Sequence, residues 1–516
     1  MTNPPTTTAR RSRTTLAALV LTTAVAAVPT AAGAATTTAD RTWSGYRTPT
    51  GSTAGSGWVG ARRTDGQVVY RIDPGRRATR TSGFATPSWT GRLDGVGPHH
   101  PSSTDTARAA WILGKYGTYR YAVQDAAVEV AVDHLLYGGS WALSGTSTRA
   151  RLKASGHGSA IRSFASRMLT DSSRYAGPYT IAVTPGPAAA GGTVTVRVRV
   201  TATRTGAPVE HLPVDVIYSG TARPRVETGA DGSATTTAPA GTAGPHAVTA
   251  TVGLLPQTQL LVRAPRTARA SRVAVAGLKT SRTVVATAAV REGTTVTTTA
   301  TRTPITTTES PAGRLEITGA YPSARTATAS LYGPFATAPA VTCDPGNRVS
   351  SGTVQVAADG AYPLPDGLRV PGYGYYVWGV TVPADAYNAA ASACSGTTLV
   401  LTAPTVTAAP TGASYRAGAF VHGLVRTAGL PSGYAGNATL QLYGPFTTAA
   451  AATCDPSRLA ATQSVRVTAN GTTPGPDRAV SALGWYVWVA GLPASGFSAS
   501  AVSSCSAAGA KFQVTW

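Results

Sequence analysis

Cysteine is nearly absent from this chain: four residues in 516, and none before Cys343. The first 342 positions therefore offer no thiol nucleophile and no cysteine metal ligand. Lysine is as scarce, with Lys115, Lys153, Lys279 and Lys511 against 40 arginines. Charged residues of all kinds make up only 13%, yet the formal net charge is +22. That excess is spread along the chain and forms no basic run interleaved with aromatics, which argues against a nucleic-acid-binding protein. After the N-terminal region no apolar stretch is long enough to span a bilayer, so no transmembrane segment is expected in the mature chain. The motifs HExxH, GxSxG, the Walker loop and GxGxxG are all missing. His99-His100 lies between prolines and lacks further ligands, and Gly156-His157-Gly158-Ser159 has no positioned acid beside it. No catalytic residue, metal site or cofactor is expected.

The N-terminus carries Arg10-Arg11-Ser12-Arg13, an apolar Ala/Leu/Val stretch and Ala32-Gly33-Ala34. A basic region, an apolar core and a small-residue cleavage site make residues 1–34 a signal peptide and the protein secreted or extracellular. Residues 35–56, rich in Thr, Gly and Ser, read as a flexible segment.

The strongest pattern is a duplication. Leu331-Tyr332-Gly333-Pro334-Phe335, Cys343-Asp344-Pro345, Asp359-Gly360 and Cys394 recur 111 positions later as Leu442-Tyr443-Gly444-Pro445-Phe446, Cys454-Asp455-Pro456, Asn470-Gly471 and Cys505. Tyr376-Val377-Trp378 recurs as Tyr486-Val487-Trp488, slipped by one. Residues 265–402 and 403–516 are thus two copies of one β module. Of the three pairings open to four cysteines, the repeat selects Cys343–Cys394 and Cys454–Cys505, two equal intervals of 51 positions. Closing each loop stabilises its module by roughly 4 kcal/mol in the chain-entropy account. The Asp-Gly and Asn-Gly pairs read as two-residue hairpin turns. The Tyr-Val-Trp triplets read as packing aromatics rather than as a sugar platform.

Upstream, Val194, Val196, Val198 and Val200 alternate with polar residues, the period-two pattern of a half-buried strand. Further short strands and the stretch Thr228-Gly229-Ala230-Asp231-Gly232-Ser233-Ala234 resemble the Ig-like domains of bacterial surface adhesins, giving a β-sandwich over 178–264. Residues 57–177 differ. Val68-Val69-Tyr70 reads as a strand ending at Asp73-Pro74-Gly75. Helical periods follow: Ala109, Trp111, Ile112 and Tyr116 behind a cap at Thr104 or Asp105; Val128, Val132 and Leu135 on one face of Ala122–Tyr137; and Ile161, Phe164 and Met168. The expected fold is multidomain and mainly β: an α-rich head, an Ig-like sandwich and two disulfide-stapled modules.

Val69-Tyr70-Arg71-Ile72-Asp73 and Glu129-Val130-Ala131-Val132-Asp133 resemble the thioester domains of Gram-positive surface adhesins, in which a strand Cys and a helix Gln form an internal thioester. Here Arg71 stands at the Cys position and Glu129 at the Gln position, with Asp133 in place of a Trp; Gln124 is a poorer match for the Gln. Without a thiolate this resemblance implies the fold and not the chemistry. It puts Arg71 and Glu129 together as an ion pair where the covalent bond would lie. The expected function is that of a secreted, non-enzymatic adhesion or wall-associated protein with a protein or wall-polysaccharide ligand. The alternative is an exported glycan-active enzyme, with a cleft gathering Asp73, Asp125, Glu129, Asp133 or His134 in the helical domain.

Overall fold

The computed structural model describes residues 43–51, 55–77, 83–94, 99–267, 269–338 and 341–516. The signal peptide expected at 1–34 lies outside them. The described chain is mainly β, with its four α-helices confined to residues 103–175. No helix among the described residues is long and apolar enough to cross a membrane.

The head pairs a sheet with these helices. Strands β1 (Trp43–Gly51), β2 (Gly55–Thr64) and β3 (Gln67–Arg71) form an antiparallel meander. Trp43–Gly51, expected in a flexible segment, is thus a paired edge strand. Two strands from far along the chain continue the sheet: Val273–Val275 pairs with β3 and Leu260–Arg263 pairs with β4 (Ser88–Thr90). The boundary expected at 264/265 therefore falls inside the head's own sheet. These return strands are three and four residues long, too short to show a period of their own.

Helix α1 (Ser103–Tyr116) is capped by Ser102, earlier than the expected caps. Ser102 accepts from the Asp105 amide, and the Asp105 carboxylate accepts from the Ser102 amide, a reciprocal capping box. Helix α2 (Ala122–Leu136) buries nearly its whole circumference between α1, α4 and strands β1 and β2, not only the Val128/Val132/Leu135 face. Helix α3 (Thr146–Ala154) was not anticipated, because among its aliphatic positions only Leu152 is buried. Helix α4 (Gly158–Tyr175) turns Ile161, Ala165, Met168 and Ser172 inward and leaves Phe164 partly exposed.

The sandwich has one sheet ordered Ser233–Pro239, Thr193–Ala202, Tyr179–Pro185. Its four alternating valines are all buried; the turn expected as a hairpin at Ala230-Asp231-Gly232, with Gly232 at φ 74°, is a corner between sheets, because Val226–Glu227 pairs with Pro213–Tyr218 while Ser233–Pro239 pairs with Thr193–Ala202. The facing sheet contains Gly244–Pro256 paired along its length with Lys279–Arg291. Residues 279–291, assigned above to the first module, are therefore a strand of the sandwich. One continuous apolar core runs through head and sandwich, and each C-terminal module has a core of its own.

The two modules share a strand plan. In the first, Arg325–Phe335 lies between Arg348–Val356 and Gly374–Val382, and Ala391–Leu401 follows. In the second, Gly436–Phe446 lies between Leu459–Val467 and Gly484–Leu492, and Lys511–Thr515 follows. The Asp-Gly and Asn-Gly turns differ from the expected hairpins. Arg348–Val356 pairs with Arg325–Phe335, whereas Gly360–Pro363 pairs with Gly313–Thr318 in the opposite sheet. The turn is a corner between sheets. Asp359 Oδ1 accepts from the Ala320 amide at 2.6 Å, and Asn470 Oδ1 accepts from the Leu430 amide at 2.8 Å. Either residue type supplies that oxygen.

Candidate functional site

Helix α2 carries Asp125, Glu129 and Asp133 at a spacing of four, with Tyr137 at its C-cap continuing the row. A spacing of four places side chains one above another on a single helix face. This face meets β1, β2, β3 and α3, and all three carboxylates are buried. Charge removed from water must be paired or neutralised. Each acid is accordingly met by a group from another element.

Asp125 accepts from the Tyr70 hydroxyl at 2.8 Å and from the Ser44 hydroxyl. Glu129 Oε1 accepts from Arg71 Nη2 at 2.7 Å and from Arg151 Nη2 at 2.6 Å. Its Oε2 accepts from the Gly60 amide at 2.6 Å. Gly60 sits at φ 132°, and a Cβ there would lie 2.2 Å from the Ser44 carbonyl oxygen, so only glycine lets β1 and β2 close up at this point. Asp133 Oδ2 accepts from Arg151 Nη1 at 2.7 Å. The Arg71 and Glu129 side chains are 5% and 0% exposed, and Arg151 is fully buried between Glu129 and Asp133. The Trp58 carbonyl accepts from Arg71, and the Trp141 ring lies 5.5 Å below the Arg151 guanidinium. Two arginines thus face two carboxylates in a closed quartet.

A second pair locks the return segment. Asp73 accepts from Arg272 Nη2 at 2.8 Å, from the Arg272 amide at 2.7 Å, and from the Tyr137 hydroxyl. Arg272 in turn donates to the Asp94 carbonyl at 2.9 Å. This cluster joins β3, the end of α2 and the segment between the return strands.

Burial dominates the electrostatics. It pushes the Asp133 carboxyl up to about 7, Arg151 drawing it partly back down. Burial likewise raises Asp125, against the hydrogen bonds from Ser44 and Tyr70. For Arg71 burial outweighs the attraction of Glu129 and lowers the guanidinium. Burial acts the same way on Arg151, but Glu129 and Asp133 together outweigh it and hold that guanidinium above its ordinary range. Burial and the Asp125 charge raise the Tyr70 hydroxyl.

The acids proposed for a catalytic cleft therefore lie inside the protein, paired, and do not line a groove. His134 accepts from the Leu143 amide at 3.3 Å, and burial lowers its pKa. Gln124 donates to the Tyr116 carbonyl. The His157 ring lies tilted against Tyr46, with ring centres 4.8 Å apart. Among the described residues no three His, Cys, Asp or Glu side chains gather in a metal-binding group. Beside Arg71 a narrow crevice lined by Trp43, Gly60, Phe84 and Ser271 has about 10 Å³ of free space, room for one water-sized sphere. Arg151 and Arg272 were missed from sequence. The row of three acids at a spacing of four on an otherwise apolar helix was the available sign that basic partners were needed.

In the modules, Cys343 is bonded to Cys394 and Cys454 to Cys505, each with Cα atoms 5.9 Å apart. Tyr376, Trp378, Tyr486 and Trp488 are buried in the module cores and present no platform.

No protein-family model and no curated protein matches the chain. Similar solved structures include the adhesin FdeC of Escherichia coli, at 17% identity over 66% of this chain and 97% of that one, with a TM-score of 0.27. The C-terminal fragment of intimin, in complex with the intimin-binding domain of its translocated receptor, is 14% identical over 46% and 67% of the two chains, TM-score 0.24. Trypsin-activated alpha-2-macroglobulin from Escherichia coli is 11% identical over 66% of this chain and 24% of that one, TM-score 0.18. Scores and identities this low define no family for the chain.

Proposed function

We propose that this chain is a secreted, non-enzymatic protein that acts at the cell surface or in the extracellular space by adhesion or wall association, its helical head carried on β-sandwich modules. The observation that carries the reading is the quartet of Arg71, Glu129, Arg151 and Asp133. Groups that would serve as acid, base or nucleophile in an enzyme are here spent on one another, out of reach of solvent. Arg71 and Glu129 hold the two positions that the resembled thioester domains give to Cys and Gln, so an ion pair joins strand to helix in place of a covalent bond. Two disulfides agree with an oxidising, extracellular setting.

The test uses the full secreted chain against purified wall polysaccharide and surface-protein fractions. Saturable retention, with the polymer recovered unchanged in length and in reducing ends, is the expected result. Release of shorter glycan would overturn the reading in favour of a glycan-active enzyme.

A further inference from the structure

The quartet leaves part of Arg71 unspent. Its Nη2 donates to Glu129 and to the Trp58 carbonyl, but among the described residues its Nε and Nη1 meet no acceptor. The side chain is only 5% exposed, so these are buried, charged donors. Such a group is costly to leave unsatisfied and calls for a bound water or ion. Arg71 also lines the narrow crevice described above. Trp43, Gly60 and Val69 come to it from the meander, and Ser271 and Val273 from the return segment. Val69 and Val273 form a small apolar cluster against which Phe84 packs. The free space, about 10 Å³, admits one water-sized sphere and is too small for a carboxylate, a phosphate or a sugar.

Two occupants of that size differ in what they need. A buried water has two hydrogens of its own to place and makes about three hydrogen bonds. Of the lining side chains only Ser271 has an acceptor atom, and its hydroxyl is already engaged. It accepts from the Asp73 amide at 3.1 Å and donates to the Arg272 carbonyl at 2.8 Å. A halide ion accepts hydrogen bonds and has none to donate, which matches a wall that offers donors and apolar surface. Its charge has a use there as well. The quartet is neutral only with both carboxylates ionised. Yet Asp133 Oδ1 meets no donor among the described residues, and burial pushes that carboxyl up to about 7. A proton on Asp133 leaves the two guanidiniums short of one negative charge.

We propose that the crevice beside Arg71 binds a single halide ion, chloride in ordinary salt, held by the Arg71 N–H groups between Val69, Phe84 and Val273. The ion supplies the acceptor that these donors lack within the protein and adds a negative charge beside two buried guanidiniums. Ser271 and Val273 reach the crevice only when the return segment is in place. Binding therefore stabilises the closed head and does nothing for the modules.

Crystals of the full chain grown with bromide in place of chloride should show an anomalous peak in the crevice, within hydrogen-bonding reach of Arg71 Nε or Nη1. In solution, chloride replacing gluconate at constant ionic strength should raise the denaturant midpoint of the head and sandwich and leave those of the modules unmoved. Above the dissociation constant, the unfolding constant should fall about tenfold for each decade of chloride. Val273→Ile adds a methylene to the crevice wall; Arg71→Lys keeps the charge and removes the guanidinium. Each should abolish the chloride dependence with unchanged circular dichroism. A crevice without anomalous signal, a head midpoint indifferent to chloride, or a dependence that survives in both variants overturns the proposal. A bromide peak with no chloride response in solution marks an adventitious ion only, and overturns it equally.

Discussion

Head and modules solve the same problem, holding distant strands together, with opposite chemistry. Each module closes on itself with a disulfide 51 residues long and has its own core. The head closes with charge, and part of its sheet is supplied from 199 residues away, the separation of Asp73 and Arg272. Modules built the first way can be duplicated, because each carries its staple within its own stretch of chain. A head built the second way cannot be excised. Residues 57–177 alone would lack both return strands and the arginine that pairs with Asp73.

The sharpest way to break the comparison is to remove one member of the quartet. Glu129→Ala leaves Arg71 and Arg151 buried opposite a single remaining carboxylate. Breaking a buried pair from one side costs about 3–5 kcal/mol. In calorimetry the transition of the head and sandwich should fall steeply while those of the modules stay in place. The converse variant, Cys343→Ala with Cys394→Ala, should lower the first module by about 4 kcal/mol. It should leave the head transition where it was.

The pH dependence separates the regions further. The folded pKa of Asp133 is raised above its unfolded value by burial, so the folded state binds the extra proton. Its contribution is fully present below pH ~4, the unfolded carboxylate range, and is lost as pH rises through about 7. Head stability should therefore decline over that window relative to Asp133→Asn, as measured by denaturant midpoints at pH 4.5, 6 and 8 (about the span of the two pKa values). The module midpoints should be insensitive to that substitution at every pH. The smallest effect concerns the corners. Asp359→Asn keeps the oxygen that receives the Ala320 amide and should change first-module stability by less than about 0.5 kcal/mol. Asp359→Ala orphans that amide and should cost about 1 kcal/mol.

What could be read from the sequence follows the same division. The cysteine intervals, the alternating valines at 194–200 and the turn at Gly232 are local or repeated signals, and local signals survive in a linear text. Arg71 and Glu129, 58 positions apart, came together only through a resemblance, and the structure places them 2.7 Å apart. Arg151 was invisible because α3 has no apolar period to reveal it. Arg272 sits between two strands too short to show alternation. The corner at Asp359 was mistaken for a hairpin because the dipeptide specifies a positive φ, here 149° at Gly360, and not the partner of the next strand. Residues 279–291 fell within the stretch given to the first module because a strand's own residues do not specify its partner, which is Gly244–Pro256 of the sandwich.

The return of the chain to the head has a mechanical consequence. From Val275 the backbone passes through Lys279–Arg291 and, past three residues, into the first module. The covalent path for tension between head and modules is therefore one strand, already extended at roughly 3.3 Å per residue and without slack. Residues 179–256 of the sandwich form a side branch off that path. Tension applied along that strand would pass from head to modules through its backbone without first drawing the rest of the sandwich open.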